Sequence, residues 1–291
     1  MPTDHSNRAL TRNDNQGRRI YTHPVTGEEF FSVTSILGAA DKPALNKWKQ
    51  RNIVDFALDN LDALSGMDRD AGHELLRSAA WGFGSAASLG TEVHERFEDL
   101  MNELKSRCLV DGAVSAAAQM PEWIFGHPAE PHIRFADTAF LELLDEFLIE
   151  PLEVEATVIN REVGYCGSAD LMACIKPRDR GDWITAVFDV KSGKNLYGST
   201  ALQCMAYARG EKILRSNGDE DPPLKFSAAF GLHVRPKSWA LKPLRHDEVV
   251  WEAFKAHATL TDWQELERRA VGAPLNHAAI ERQKSYRQGE M

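Results

Sequence analysis

Asp189 and Lys191 stand two residues apart in the apolar run Phe188-Asp189-Val190-Lys191. In an extended strand side chains alternate, so both charged groups share one face and Val190 points to the other. Asp and Lys are poor strand formers, so their pairing at a strand end suggests chemistry. Upstream, Gly167-Ser168-Ala169-Asp170 sets a second carboxylate at the end of a neighbouring predicted strand. Two carboxylates and a lysine suit cation-assisted hydrolysis of a phosphodiester. Mg²⁺ or Mn²⁺ prefers hard oxygen ligands, and such an ion neutralises non-bridging oxygens and lowers the pKa of an attacking water. On this reading Asp170 and Asp189 hold the cation. Lys191 orients or deprotonates the water, its own pKa lowered by burial and positive neighbours. The bland alternative is a solvated cross-strand ion pair worth little.

The elements around these residues follow from periodicity. Leu152 to Ile159, Ser168 to Ile175 and Trp183 to Val190 are β-branched, apolar runs separated by Gly, Asn and Pro, which predicts a three-stranded meander. A helix over Ser199 to Leu214 follows, then a strand over Lys225 to Val234, a short partner over Ser238 to Leu241 and a closing helix over Asp247 to Ala270. Upstream, Arg18 to Ser32 reads as a hairpin turning at Thr26-Gly27. Helices are expected from Pro43, over Asp70 to Ala80, over Ser85 to Lys105, and from Phe135 to Leu148 with Pro151 as the stop. Val110 to Glu130, rich in Pro, Gly and small residues, reads as a long connection or lid. The organisation expected is a flexible arm over 1–19, one domain over 20–272 and a loosely held tail over 273–291. Within the domain, 20–150 is the hairpin and helical part and 151–272 the sheet that carries the chemistry.

The 291 residues, 43% of them hydrophobic, suffice for one large α/β domain with a real core. Residues 1–19 are polar, so neither a signal peptide nor a membrane span is proposed, and a cytoplasmic location is expected. Cys108, Cys166, Cys174 and Cys204 are far apart and form no Cys-x-x-Cys pair, which argues for reduced thiols and against a zinc site. A formal charge of −9 argues against a protein that coats nucleic acid nonspecifically, though a local basic groove stays compatible with it.

Together the strings form a pattern. Asp170, then Asp189-Val190-Lys191, then Gln203 and Tyr207 one helical turn apart, resemble the PD-(D/E)XK nuclease superfamily in its RecB-like branch. Gly90-Thr91-Glu92-Val93-His94 resembles the G-x-x-x-H motif of that branch, whose histidine binds metal. Glu155 resembles the acidic residue that often precedes the first catalytic Asp. Ser32 to Leu37, with Lys42-Pro43-Ala44-Leu45 and Trp48, looks like the opening of phage-encoded exonucleases.

The resemblance implies a restriction-endonuclease-like α/β core, a mixed central sheet flanked by helices in αβββαβ order, with a helical N-terminal part. It implies a Mg²⁺- or Mn²⁺-dependent DNA exonuclease of recombination or repair, phage or prophage in origin. His94, Asp170, Asp189 and the Val190 carbonyl would bind metal, with Glu155 in support, and Asp170, Asp189 and Lys191 would be catalytic. Gln203 and Tyr207 would border the site, although a helix-sheet packing pair is the plainer reading. Lys194 would touch a phosphate or stay a solvated loop residue. Related adaptation nucleases hold an iron-sulfur cluster through cysteines near the C-terminus; none follows Cys204 here, so no cluster is expected.

For tracking DNA ends or single-stranded regions the candidates are Arg235, Lys237, Trp239 and Lys242, or the loop carrying Lys176, Arg178 and Arg180. A charged strand edge explains the first set nearly as well. A recombinase, annealing protein or helicase is a conceivable partner, as is a second copy of the chain. Two competing functions remain: a silent nuclease-fold subunit that binds DNA without cutting, and a hydrolase of another phosphoester.

Overall fold

The computed structural model describes residues 10–13, 17–80, 85–112, 130–179 and 181–271. Most of the expected arm, most of the Val110 to Glu130 connection, Arg180 and the tail therefore lie outside the described residues. Strands β1 (Leu10–Asn13), β2 (Arg19–Thr22) and β3 (Glu29–Ser32) form an antiparallel set. β1 falls inside the segment expected to be a flexible arm. Its ladder runs from Leu10 opposite Thr22 to Asn13 opposite Arg19, giving that backbone partners the sequence pattern did not reveal. The β2–β3 turn closes where expected, with Gly27 at φ 73°.

Ser32 ends β3 and caps the short helix α1 (Val33–Ile36), its Oγ accepting the Ser35 N–H at 2.9 Å. Helices α2 (Pro43–Asp59), α3 (Leu61–Ser65) and α4 (Arg69–Ala80) follow, then the long α5 (Ser85–Asp111) and α6 (Arg134–Glu146).

The helix expected to reach Leu148 stops at Glu146, and strand β4 (Phe147–Asn160) begins at once. Pro151, expected to stop the helix, lies inside β4. Its missing N–H is tolerated where the ladder slips between Pro151 and Glu153. β4 pairs antiparallel with β5 (Tyr165–Pro177), and β5 with β6 (Ile184–Lys191), so the meander forms as expected. The helix expected over Ser199 to Leu214 splits into α7 (Ser199–Ala208) and strand β7 (Lys212–Leu214). Gly210 lies between them, and a Cβ there would sit 2.8 Å from Val158 Cβ, so the chain turns tightly against β4.

A two-residue strand β8 (Glu220–Asp221) pairs with β7; β9 (Ala228–Arg235) joins β6 in parallel, and β10 (Ser238–Pro243) pairs with β9. Helix α8 (Glu248–Ala270) closes the described chain, capped by Asp247. The fold is thus α/β, with one ten-stranded mixed sheet among the described residues.

Helices cover the sheet on both faces. Phe97, Leu100 and Met101 of α5 and Phe140 and Leu143 of α6 pack with Leu171, Phe188, Val190 and Leu232. Ile36, Cys204, Tyr207, Trp251 and Phe254 pack on the other side with Val158, Met172, Val187 and Ala229. No helix among the described residues is long and apolar enough to cross a membrane.

One topological detail positions the site. The edge of β5 away from β4 pairs with β3 only at Tyr165 and Cys166, and with β6 only from Leu171 to Ile175. β3 runs parallel to β5 and β6 antiparallel, so the carboxyl ends of both converge on a fork beside Gly167 to Asp170.

Candidate metal centre

A cleft of about 610 Å³ opens at that fork. α5 lines it with His94 and Glu98, β4 with Glu155, β5 with Ser168 and Asp170, the end of β6 with Lys191, and α7 with Gln203 and Tyr207. One ligand atom each from His94, Glu155 and Asp170 lie within 4.8 Å of one another.

Each member is held from behind. His94 Nδ1 is 3.4 Å from Asp170 Oδ1, and Asp170 Oδ2 accepts the Val190 N–H at 2.6 Å. Val190 thus enters the site through its amide, whereas the expectation concerned its carbonyl. Ser168 Oγ donates to Glu155 Oε2 at 3.0 Å. Glu155 has φ 49°, among the described residues the one non-glycine in the left-handed region.

That angle has a visible consequence. Val154 packs in the α5–α6 core and Ala156 in the α7–α8 core, although alternation would put both on one face. Opposite them Leu171 and Ala169 divide in the same way. The two strands pass from one core to the other at Glu155 and Asp170, which places both carboxylates in the opening between the helical layers.

The electrostatics suit a cation. Burial pushes the Glu155 carboxyl up, and the neighbouring Asp170 carboxylate adds to this, bringing it to about 7. Burial would raise Asp170 too, but His94, Lys191 and the Val190 N–H outweigh it and hold Asp170 below the usual range. Burial would lower His94, yet Asp170's charge and hydrogen bond prevail and raise it. Two buried carboxylates and an imidazole converging in this way form a donor set suited to a divalent cation, which would offset the repulsion between Glu155 and Asp170.

Asp189, expected as a metal ligand, stands outside this trio. It is 0% exposed, and neither carboxylate oxygen has a hydrogen-bond partner of good geometry. Lys191 Nζ, 2.5 Å from its Oδ2, compensates it by charge. Burial and then Asp170 raise the Asp189 carboxyl to about 6, against the pull of Lys191.

The expectation of a lowered Lys191 is corrected here. Burial acts in that direction, but Asp189 and Asp170 outweigh it and the ammonium is held above its ordinary value. The sequence argument counted burial and positive neighbours; the neighbours that matter are carboxylates.

Gln203 Nε2 donates to Tyr207 Oη at 2.8 Å. Both readings of this pair hold together: it lines the cleft, and Tyr207 packs so closely that a Cβ on Gly167 would be 2.9 Å from its Cε1. Lys194 is exposed beyond Gly193. Arg235 donates to the Ser192 carbonyl at 3.3 Å and His233 to the Gly193 carbonyl at 2.8 Å, so both brace the segment after Lys191. Lys237 and Lys242 are exposed, but Trp239 is half-buried and donates its indole N–H to Glu142 at 2.7 Å. That packing leaves Trp239 poorly placed to stack a base. In the other basic segment, Arg178 caps α6 through the Leu144 and Asp145 carbonyls, and Lys176 sits over Trp183.

Glu98 and Tyr21 also line the cleft and were not singled out from the sequence. For Glu98 a signal existed, since i and i+4 share a helix face and His94 precedes it by four. For Tyr21 none did, because a hairpin's approach to a distant strand leaves no local trace.

No family model matches the chain, and no curated protein does. Among solved structures it is similar to the crystal structure of SSO0001, at 16% identity and a TM-score of 0.25 over 61% of this chain and 76% of that one. At that level the likeness carries no argument about function.

Proposed function

We propose that this protein is a divalent-cation-dependent deoxyribonuclease with a restriction-endonuclease-like core, acting as an exonuclease in phage or prophage DNA processing in the host cytoplasm. The observation that carries the reading is the convergence of His94, Glu155 and Asp170 in a cleft that Lys191 also lines. The trio would hold Mg²⁺ or Mn²⁺; when bound, the ion lowers the pKa of a coordinated water and neutralises phosphate oxygens. The chain's own groups do the rest. His94 and the Val190 N–H fix the Asp170 carboxylate. Lys191, protonated, faces the cleft as a cation able to orient a phosphate oxygen or a water, with Asp189 fixing its position. Exonuclease over endonuclease rests on the sequence resemblance.

The test is digestion of end-labelled linear and covalently closed circular DNA with Mg²⁺, Mn²⁺ or EDTA, comparing wild type with Lys191→Ala. Loss of linear DNA alone, cation-dependent and absent in the variant, is the expected result. Cutting of closed circles would make it an endonuclease. Absence of cleavage with every cation would leave the DNA-binding subunit, beside a helicase or annealing protein, as the better reading.

A further inference from the structure

Helix α2 carries its charges the wrong way round for a helix. Its N-terminal half holds Lys42 at the N-cap and then Lys47, Lys49 and Arg51, with no acid before Asp55; its last turns hold Asp55 and Asp59. The helix dipole favours the opposite arrangement, and no side chain caps the N-terminus. Lys47 and Arg51, four apart, repel each other across one turn. Between them on the same face Trp48 is 45% exposed. Arg51 reaches Asp55 only at 3.7 Å, between side chains 82% and 62% exposed. Among the described residues Lys42 and Lys47 have no acidic partner. In a chain of formal charge −9, this concentrates cations around an exposed indole at a cost to the helix.

We infer that the N-terminal half of α2 is a binding surface for single-stranded nucleic acid, with Trp48 stacking on a base and Lys42, Lys47 and Arg51 meeting backbone phosphates. A polyanion returns the energy the helix loses to its own charge pattern, and a flat indole takes any unpaired base without reading its sequence. A single strand is favoured over a duplex because paired bases offer no free face to an indole on a helix surface. Val54, Leu58 and Leu61, also exposed further along, make self-association the outcome to be distinguished. The inference does not depend on the nuclease reading, since binding is measured without cleavage.

The experiment is fluorescence anisotropy of labelled oligo-dT with the full chain in EDTA, for wild type, Trp48→Ala, Trp48→Phe and Lys47→Ala/Arg51→Ala. Trp48→Ala is expected to weaken binding about fivefold or more, and Trp48→Phe to restore most of it. The double variant is expected to flatten the salt dependence by about one unit of slope. Unchanged affinity in Trp48→Ala and in the double variant would overturn the inference. So would a loss seen only on anionic vesicles, or a loss that tracks dissociation of an oligomer by sedimentation. The DNA digestion above tests the cleft separately, so either idea can fail alone.

Discussion

Glu155 stands across the β4–β5 pair from Asp170, between the register pairs Val154–Leu171 and Ala156–Ala169, and reaches that place with φ 49°. A side chain in the left-handed region costs roughly 1 kcal/mol, and such strain concentrates at functional sites. Here it turns a carboxylate toward His94 and Asp170 at the point where the strands change cores.

Glu155→Gly should therefore gain stability while losing the site. In EDTA its melting temperature is expected to rise by roughly 2 °C, from about 1 kcal/mol of relieved strain. The rise with added Mn²⁺ seen in wild type should vanish. A lower melting temperature in EDTA, or a retained Mn²⁺ response, would show that the backbone angle serves something else.

Removal of the cation should be legible as stability. A ligand at about one hundred times its Kd adds roughly 2.7 kcal/mol, so wild type is expected to melt higher in Mn²⁺ than in EDTA. His94→Ala and Asp170→Asn should flatten that difference, and calorimetric titration should show matching losses of Mn²⁺ affinity. Full affinity in both variants would remove the trio as the ligand set.

Lys191→Ala leaves the Asp189 carboxylate buried without its counter-charge. The expected loss is about 3 kcal/mol in urea unfolding with EDTA present. Adding Asp189→Asn should recover much of it, because the charge is removed together with its partner. If the double variant is as unstable as the single one, Lys191 stabilises by packing instead.

Glu153 lies away from the cleft and sets an acid limit. It accepts from Arg215 Nη1 and Nη2 at 3.0 and 2.6 Å and from Lys105 at 3.3 Å. Burial would raise its carboxyl, but Arg215 and Lys105 prevail and hold it below the ordinary value. A depressed acid stabilises above its unfolded pKa and loses that contribution as pH falls through the folded one. Glu153→Gln should cost roughly 1 kcal/mol at neutral pH and nothing at about pH 3, where wild type has lost the charge as well. Urea unfolding at both pH values checks this; a constant gap would refute it.

Gly167→Ala tests the wall of the cleft. Its Cβ would lie 2.9 Å from both Tyr207 Cε1 and Val33 Cγ2, so α7 or α1 must shift at a cost of about 1–3 kcal/mol. Thermal unfolding of Gly167→Ala beside Gly167→Ala/Val33→Ala should show partial rescue. An unchanged melting temperature would mean that the wall yields freely.

The sequence by itself determined the elements whose signals are local. Period-two runs gave the meander, and the spacing of Asp189 and Lys191 put both on one face of β6. Gln203 and Tyr207, a turn apart, became a hydrogen-bonded pair on α7. His94 was marked by the residues around it. Where the sequence misled, long-range pairing outweighed local pattern: β1 is held only by β2, Pro151 survives inside β4 through a register slip, and Gly210 is set by Val158. Tertiary structure alone decided the chemistry's arrangement. Glu155 moved from a supporting role into the central trio because a backbone angle turns it there, and Asp189 stands outside that trio, paired with Lys191. Lys191 titrates in the direction opposite to the expectation because the groups that surround it, carboxylates from two strands, are neighbours only in space. Spacing along a chain fixes which face a side chain occupies; the charges and contacts it meets there depend on which strands and helices come together.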